Sequence, residues 1–147
     1  MLRIAAAVAA LAVGATFAYA QNLDVIKQRK DSMKAVGGAA GAAAKILKGE
    51  APFDLAVVQK SLDTFATEAV KQKALYSDDS KTGSETTVVP KIWETKADFF
   101  AKFDKFAADA IAVKAAIKDE ASMKAEWGKI GANCGGCHKE YRVPPKQ

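Results

Sequence analysis

Apolar residues recur along most of the chain at alternating steps of three and four, the spacing that places them on one face of an α-helix. Four such seams can be followed, and each predicts one helix. Their members are Ile26, Arg29, Met33, Val36, Ala40, Ala43 and Leu47; then Leu55, Val58, Leu62, Phe65, Ala69 and Gln72; then Ile92, Lys96, Phe99, Phe103, Phe106, Ala110, Val113 and Ile117; and finally Met123, Trp127, Ile130, Cys134, Cys137 and Tyr141. Seams of this kind bury one helix face in a bundle, so the sequence predicts an all-α fold.

Residues that begin and end helices lie where these seams require them. Gly49 follows the first seam, Asp54 is placed to cap the second, Pro90 suits the first turn of the third, and Asp119 opens the fourth. The connections between the first and second helices and between the third and fourth are short, which makes those pairs antiparallel neighbours. We therefore predict an up-down-up-down antiparallel four-helix bundle, with helices of roughly 20–28 residues and its longest loop over residues 77–87.

One end of this bundle is predicted to be polar. The first three seams are interrupted by Arg29, Gln72 and Lys96, and the up-down topology brings all three to the end that holds residues 134–138. Bundle ends are wetter than bundle middles, which is one explanation. A ligand with a polar edge that enters the core at this end is the other.

The N-terminus is typical of a secretory signal peptide. Arg3 precedes an apolar stretch, and Ala18 to Ala20 form a small-x-small cleavage site, so residues 1–20 are predicted to be removed. The alternative is a retained membrane anchor, because residues 4–20 carry no charge and are borderline in length for spanning. The well-formed cleavage site favours a mature domain of residues 21–147 in a bacterial periplasm, with no membrane attachment after cleavage.

The segment Cys134-Gly-Gly-Cys137-His138 is the attachment pattern for c-type haem. Two cysteines three residues apart lie on one side of a helix, where each thiol can bond to one of the two vinyl groups on a haem edge. The imidazole of His138 can then bind the iron from the same side, as a proximal histidine does. The sequence predicts one covalent haem c per chain.

Three other interpretations of this motif fit the sequence less well. A thioredoxin-like dithiol would follow a strand and open a helix, whereas these cysteines lie late in the last predicted helix. A zinc site would need a fourth ligand, and the chain has 1 histidine and 2 cysteines. A disulfide is compatible with the periplasm, but so short a loop is strained and requires no following histidine.

Chain length and net charge restrict the number of domains and the kinds of partner that are expected. The 147 residues suffice for one domain, and the formal net charge is +5. Loss of Arg3 with the signal peptide leaves +4, and two haem propionates would reduce that to about +2, so no nucleic-acid partner is expected.

The C-terminal position of the motif and the ending Cys-His-x-x-Tyr-Arg resemble the class II c-type cytochromes, of which the cytochromes c prime are the best-known members. The resemblance extends to residues 28–33, to residues 48–54 and to residues 90–93. It implies a four-helix bundle, a periplasmic location, periplasmic redox partner proteins and a homodimer packed through the first two helices.

The same resemblance implies roles for three further residues. Arg29 matches an arginine beside a haem propionate, Arg142 matches one near the proximal histidine, and Met33 matches the residue on the distal side of the iron. In cytochromes c prime the distal residue does not bind, and the five-coordinate iron takes up nitric oxide or carbon monoxide. In low-spin relatives a methionine near this place is the sixth iron ligand, and the protein carries electrons.

No enzymatic activity is expected. Haem peroxidases use a distal histidine and arginine, and the single histidine here is assigned to the proximal side. Outside the motif, Phe99, Phe103 and Phe106 are suited either to line the haem or to fill the core. The glycines 37, 38 and 41 either permit close helix approach across a dimer or are merely tolerated.

Overall fold

A computed structural model describes residues 2–82 and 87–144, with side chains from residue 23 onward. Its helices are α1 (Leu2–Leu47), α2 (Leu55–Gln72), α3 (Lys91–Glu94), α4 (Lys96–Ala116), α5 (Glu120–Glu126) and α6 (Gly128–Tyr141), with 3₁₀ turns at Lys73–Leu75 and Asp78–Ser80. The described residues contain no strand, and one isolated antiparallel bridge joins Val88 to Arg142. Helix α1 packs on α2, α2 on α4, and α4 on α6. The predicted all-α four-helix bundle is confirmed.

The helix boundaries follow the capping chemistry of the sequence. The carboxylate of Asp54 accepts hydrogen bonds from the amides of Ala56 and Val57, at 2.8 and 3.2 Å, and so caps α2. The chain turns out of α1 at Gly49, two residues after the helix ends, with a φ of 74°, a left-handed conformation that glycine adopts without steric cost. Asp119 and Ser122 form a capping box at the start of α5.

The third and fourth predicted helices are each interrupted once, which the seams did not indicate. Thr95 has φ −122° and ψ 45°, outside the helical region, and separates α3 from α4. Trp127 keeps helical dihedrals, but its carbonyl accepts from the amides of both Ile130 and Gly131. This tighter turn separates α5 from α6. Both interruptions leave the buried face in register, so they do not change the topology.

Helix α1 is longer than predicted, since its backbone runs from Leu2 to Leu47. The side chains of residues 1–22 lie outside the described part of the chain, and the signal peptide at residues 1–20 stays a prediction. Among the residues that could be searched, no helix has the length and apolar character needed to cross a bilayer.

Buried aromatic rings fill the core between α2, α4 and α6. Phe65 is fully buried, and its ring centroid lies 5.5 Å from that of Phe106 and 5.9 Å from that of Trp127. Nearer the cysteine motif, Phe99 and Phe103 pack edge to face at 5.0 Å. The phenylalanine stripe therefore packs the core, and two of its members also approach the polar end.

That polar end is built as the topology predicts. The end of α2 meets α1 where Gln72 donates to the backbone carbonyl of Arg29, at 3.1 Å. The start of α4 meets the end of α6 where the hydroxyl of Tyr141 donates to Asp98. Lys96 lies at the same end, with its ammonium 3.7 Å from Asp78.

Candidate functional site

The cysteine motif lies on the inward side of α6. Cys134 and Cys137 are free thiols, half-buried at the edge of the core, on the same side as the buried Ile130 and Tyr141. Burial raises the pKa of both thiols, so they stay protonated near neutral pH. His138 is exposed, yet desolvation still lowers the pKa of its imidazole, and the Arg142 cation lowers it further. A neutral imidazole is the form that binds a metal.

His138 lies on the side of α6 that is turned away from α4. Asn133 donates from its side-chain amide to Asp109 of α4, which fixes the α4-facing side of the helix. His138 follows five residues later, about 140° around a helix of 3.6 residues per turn. The neighbour left for that side in an up-down bundle is α1. In the described part of the chain, however, α1 and α6 make no extended contact.

Met33 lies on the corresponding edge of α1. Its neighbour Ser32 faces α2, since it lines a groove shared with Glu68 and Lys71. Met33 is about 100° further around the helix and is half-buried at the margin of the core. Met33 on α1 and His138 on α6 therefore lie on two helices that make no extended contact with each other in the described structure.

Arg29 is buried one helical turn before Met33, with 4% of its surface exposed. Its Nη1 donates to the carbonyl of Leu75 at 3.2 Å and to the hydroxyl of Ser80 at 3.1 Å, and its Nη2 donates to the carbonyl of Ser80 at 3.0 Å. The guanidinium also lies over the ring of Tyr76, 4.8 Å from the centroid. Burial lowers the pKa of Arg29, but arginine stays charged under all ordinary conditions.

This buried cation has no anionic partner among the described residues. Three of the five N–H donors of a guanidinium are used, and the two that remain, on Nε and Nη2, are adjacent and form the fork that matches a carboxylate. An arginine fork on α1, with two thiols and a neutral imidazole on α6, fits a haem with its propionates.

Arg142 is exposed and extended just beyond α6. Its backbone pairs with Val88, and its amide donates to the carbonyl of His138 at 3.3 Å. The positive charge of Arg142 lowers the pKa of the His138 imidazole.

Tyr76 and Ser80 are site residues that the sequence analysis missed. Both are buried, and both contact Arg29 from the segment after α2. Tyr76 could have been found, since it lies four residues after Gln72 and continues the seam of α2. Ser80 lies in the polar stretch predicted to be a loop and gives no periodic signal.

The chain is similar to known proteins over most of its length. The model of the family described as "Cytochrome C'" matches residues 24–142. Cytochrome c′ of Rhodopseudomonas palustris is 50% identical over 142 residues, which cover 97% of each chain. Its solved structure has a TM-score of 0.82 and matches 84% of this chain and 98% of that one.

Two further proteins resemble this chain at lower sequence identity, and their names differ. Cytochrome c-556 of Agrobacterium fabrum is 40% identical over 136 residues, covering 90% of this chain and 88% of that protein. A solved structure described as the nitric oxide complex of a variant of cytochrome c prime from Alcaligenes xylosoxidans is 26% identical, with a TM-score of 0.73 and coverage of 84% and 97%.

Proposed function

This chain belongs to the cytochrome c′ family and is an electron-transfer protein that carries covalent haem c, and we propose that its iron has an open sixth position that takes up nitric oxide or carbon monoxide. The observation that carries the proposal is that α6 carries the thiols and the imidazole while α1 carries the buried Arg29 with its free fork, and that these two helices make no extended contact in the described structure.

Each of these residues has a distinct task in the proposal. Cys134 and Cys137 attach the haem edge as thioethers, and His138 binds one face of the iron. Arg29 pairs with a propionate through its free fork, which gives a buried cation its counter-charge. Haem, when bound, supplies a one-electron couple and an axial position for a small diatomic gas.

An open distal side is supported by two observations. The identity is higher to the cytochrome c′ of R. palustris, at 50%, than to the cytochrome c-556 of A. fabrum, at 40%. The distal candidate Met33 is held at the margin of the core, and no described residue makes a hydrogen bond or ion pair that would fix its thioether.

The alternative is a low-spin electron carrier in which Met33 is the sixth ligand. It is favoured by the c-556 relatives and by the residue type at this position. Met123 does not compete, because it is fully buried in α5, well before the cysteine motif.

A substitution at Met33 distinguishes an open sixth position from ligation of the iron by Met33. If the sixth position is open, Met33→Leu should leave the absorption spectrum of the ferric protein unchanged, and both proteins should bind nitric oxide readily. A methionine-to-iron charge-transfer band that is lost in Met33→Leu but kept in the control Met123→Leu would contradict the proposal and establish the low-spin carrier.

Export and assembly complete the proposal. We propose that residues 1–20 are removed on export and that residues 21–147 act in the periplasm with redox partner proteins. Dimerisation through α1 and α2 is supported by the exposed Gly37, Gly38 and Gly41. A Cβ atom added at any of these three positions would meet no neighbouring group within 4 Å, so the surface there is open. Intact mass of periplasmic protein should equal that of residues 21–147 plus one haem. Sedimentation should give twice that mass, and a monomer at all concentrations would contradict the dimer.

A further inference from the structure

The ring of Tyr76 is buried beside Arg29 and is contacted on several sides. Its exposed fraction is 5%, and its ring centroid lies 4.7 Å from that of Phe99, edge to face, and 6.2 Å from that of Trp93. The guanidinium of Arg29 covers one face of the ring. The ring therefore cannot turn away without losing contacts on several sides, and its hydroxyl points in one direction.

The hydroxyl of Tyr76 makes no hydrogen bond to the described residues, and unlike the enclosed Oε1 of Gln72 it keeps contact with solvent at the edge of a buried ring. Tyr141 provides the comparison within the same molecule. It is equally buried at the same end of the bundle, and its hydroxyl bonds to both Asp98 and Thr95. The missing partner of Tyr76 is thus a local feature and not a property of buried tyrosines in this fold.

The surroundings of that hydroxyl identify the kind of partner it lacks. Burial raises the pKa of Tyr76, Arg29 opposes that rise and the thiol of Cys137 adds to it. The phenol is therefore a donor at all ordinary pH values, and its ring contacts the guanidinium of Arg29 and the ring of Phe99 at the polar end of the bundle. A hydrogen-bond acceptor of the cofactor is the group that this position would serve.

We propose that Tyr76 is a second donor to the carboxylate that Arg29 binds, so that the two side chains form one receptor for a haem propionate. A carboxylate accepts a bidentate guanidinium and still has lone pairs for a phenol. Ser80 and the Leu75 carbonyl consume the other edge of the guanidinium and orient its free fork. Tyr76 is a haem-binding and positioning residue in this assignment, which rests on the function proposed above.

Isotope-edited infrared spectroscopy tests the assignment directly. The holoprotein is prepared with haem that carries ¹³C in its propionate carboxylates, and the carboxylate bands of Tyr76→Phe are compared with those of the unaltered protein. Phenylalanine keeps the ring and its packing and removes only the donor, so the propionate band should shift. Tyr141→Phe, the matched control, should leave the band in place.

The outcomes are separable. An unshifted band in Tyr76→Phe, or an equal shift in both variants, overturns the role of Tyr76. Arg29→Lys keeps the charge but loses the fork, and it should shift the same band. Recovery of folded protein without covalent haem would instead contradict the proposed function, and that result is visible in the unaltered protein before any variant is made.

Discussion

Ser80→Ala tests whether the segment after α2 holds Arg29 in place. Ser80 is fully buried, and its hydroxyl accepts from Nη1 of Arg29 at 3.1 Å while donating to the carbonyl of Ser77 at 2.8 Å. Alanine leaves a charged, buried N–H without its acceptor, which costs about 1–3 kcal/mol, and loses the second bond, worth about 1 kcal/mol. The free energy of unfolding should therefore fall by about 2–4 kcal/mol.

The assay is equilibrium unfolding of the holoprotein in guanidinium chloride, followed by far-ultraviolet circular dichroism. Ser61→Ala is the matched control, because Ser61 is equally buried but bonds only to the carbonyl of Val57 in its own helix. That exchange should be close to neutral, since alanine has the higher helix propensity. Equal free energies of unfolding for the two variants would refute the reasoning, because the Arg29–Ser80 contact would then make no measurable contribution to stability.

Three further changes test other parts of the fold. Phe65→Ala should lower the free energy of unfolding by about 3–5 kcal/mol, because a fully buried ring leaves a cavity, and a loss below about 1 kcal/mol in denaturant titration would contradict that packing. The hydroxyl of Ser122 and, to a smaller extent, backbone amides lower the pKa of Asp119 in the folded protein. The stability that this carboxylate contributes is therefore present above pH about 4, and it is lost as the pH falls through the lowered pKa of the folded state. Asp119→Asn should therefore flatten the pH dependence of the urea midpoint in acid, and an unchanged slope would count against the capping box. Lys114→Ala removes an exposed pair with Asp63 and should change stability by less than about 1 kcal/mol, a bound that the same titration checks.

The sequence predicted the buried faces well because helix periodicity reports burial directly. All but one of the third-seam positions are buried, and the exception, Lys96, is the charged member placed at the polar end. The breaks at Thr95 and Trp127 could not be predicted in the same way, because a seam stays continuous across a local tightening of the backbone. They depend on hydrogen bonds at single residues, and no residue type at these positions signals them.

The contacts of Arg29 show a second kind of feature that helix periodicity cannot predict. Its hydrogen-bond partners lie 46 and 51 positions away in the chain, at Leu75 and Ser80. Periodicity describes one helix at a time and contains no information about such pairs. The role of Arg29 could therefore be predicted only through resemblance, and the residues that hold it could not be predicted at all.

The polar end of the bundle had two explanations in the sequence, a wet end or a ligand with a polar edge. A wet end requires its polar groups to contact solvent, but Arg29 is 4% exposed and Gln72 is 0% exposed. The fork of Arg29 and the hydroxyl of Tyr76 make no hydrogen bond in the described structure, although each belongs to a residue that is at most 5% exposed. Buried side chains seldom leave such donors unused, because each carries a desolvation cost. One ligand with an apolar body and carboxylate edges, held by residues of α1 and α6, accounts for the free fork of Arg29 and the phenol of Tyr76 together.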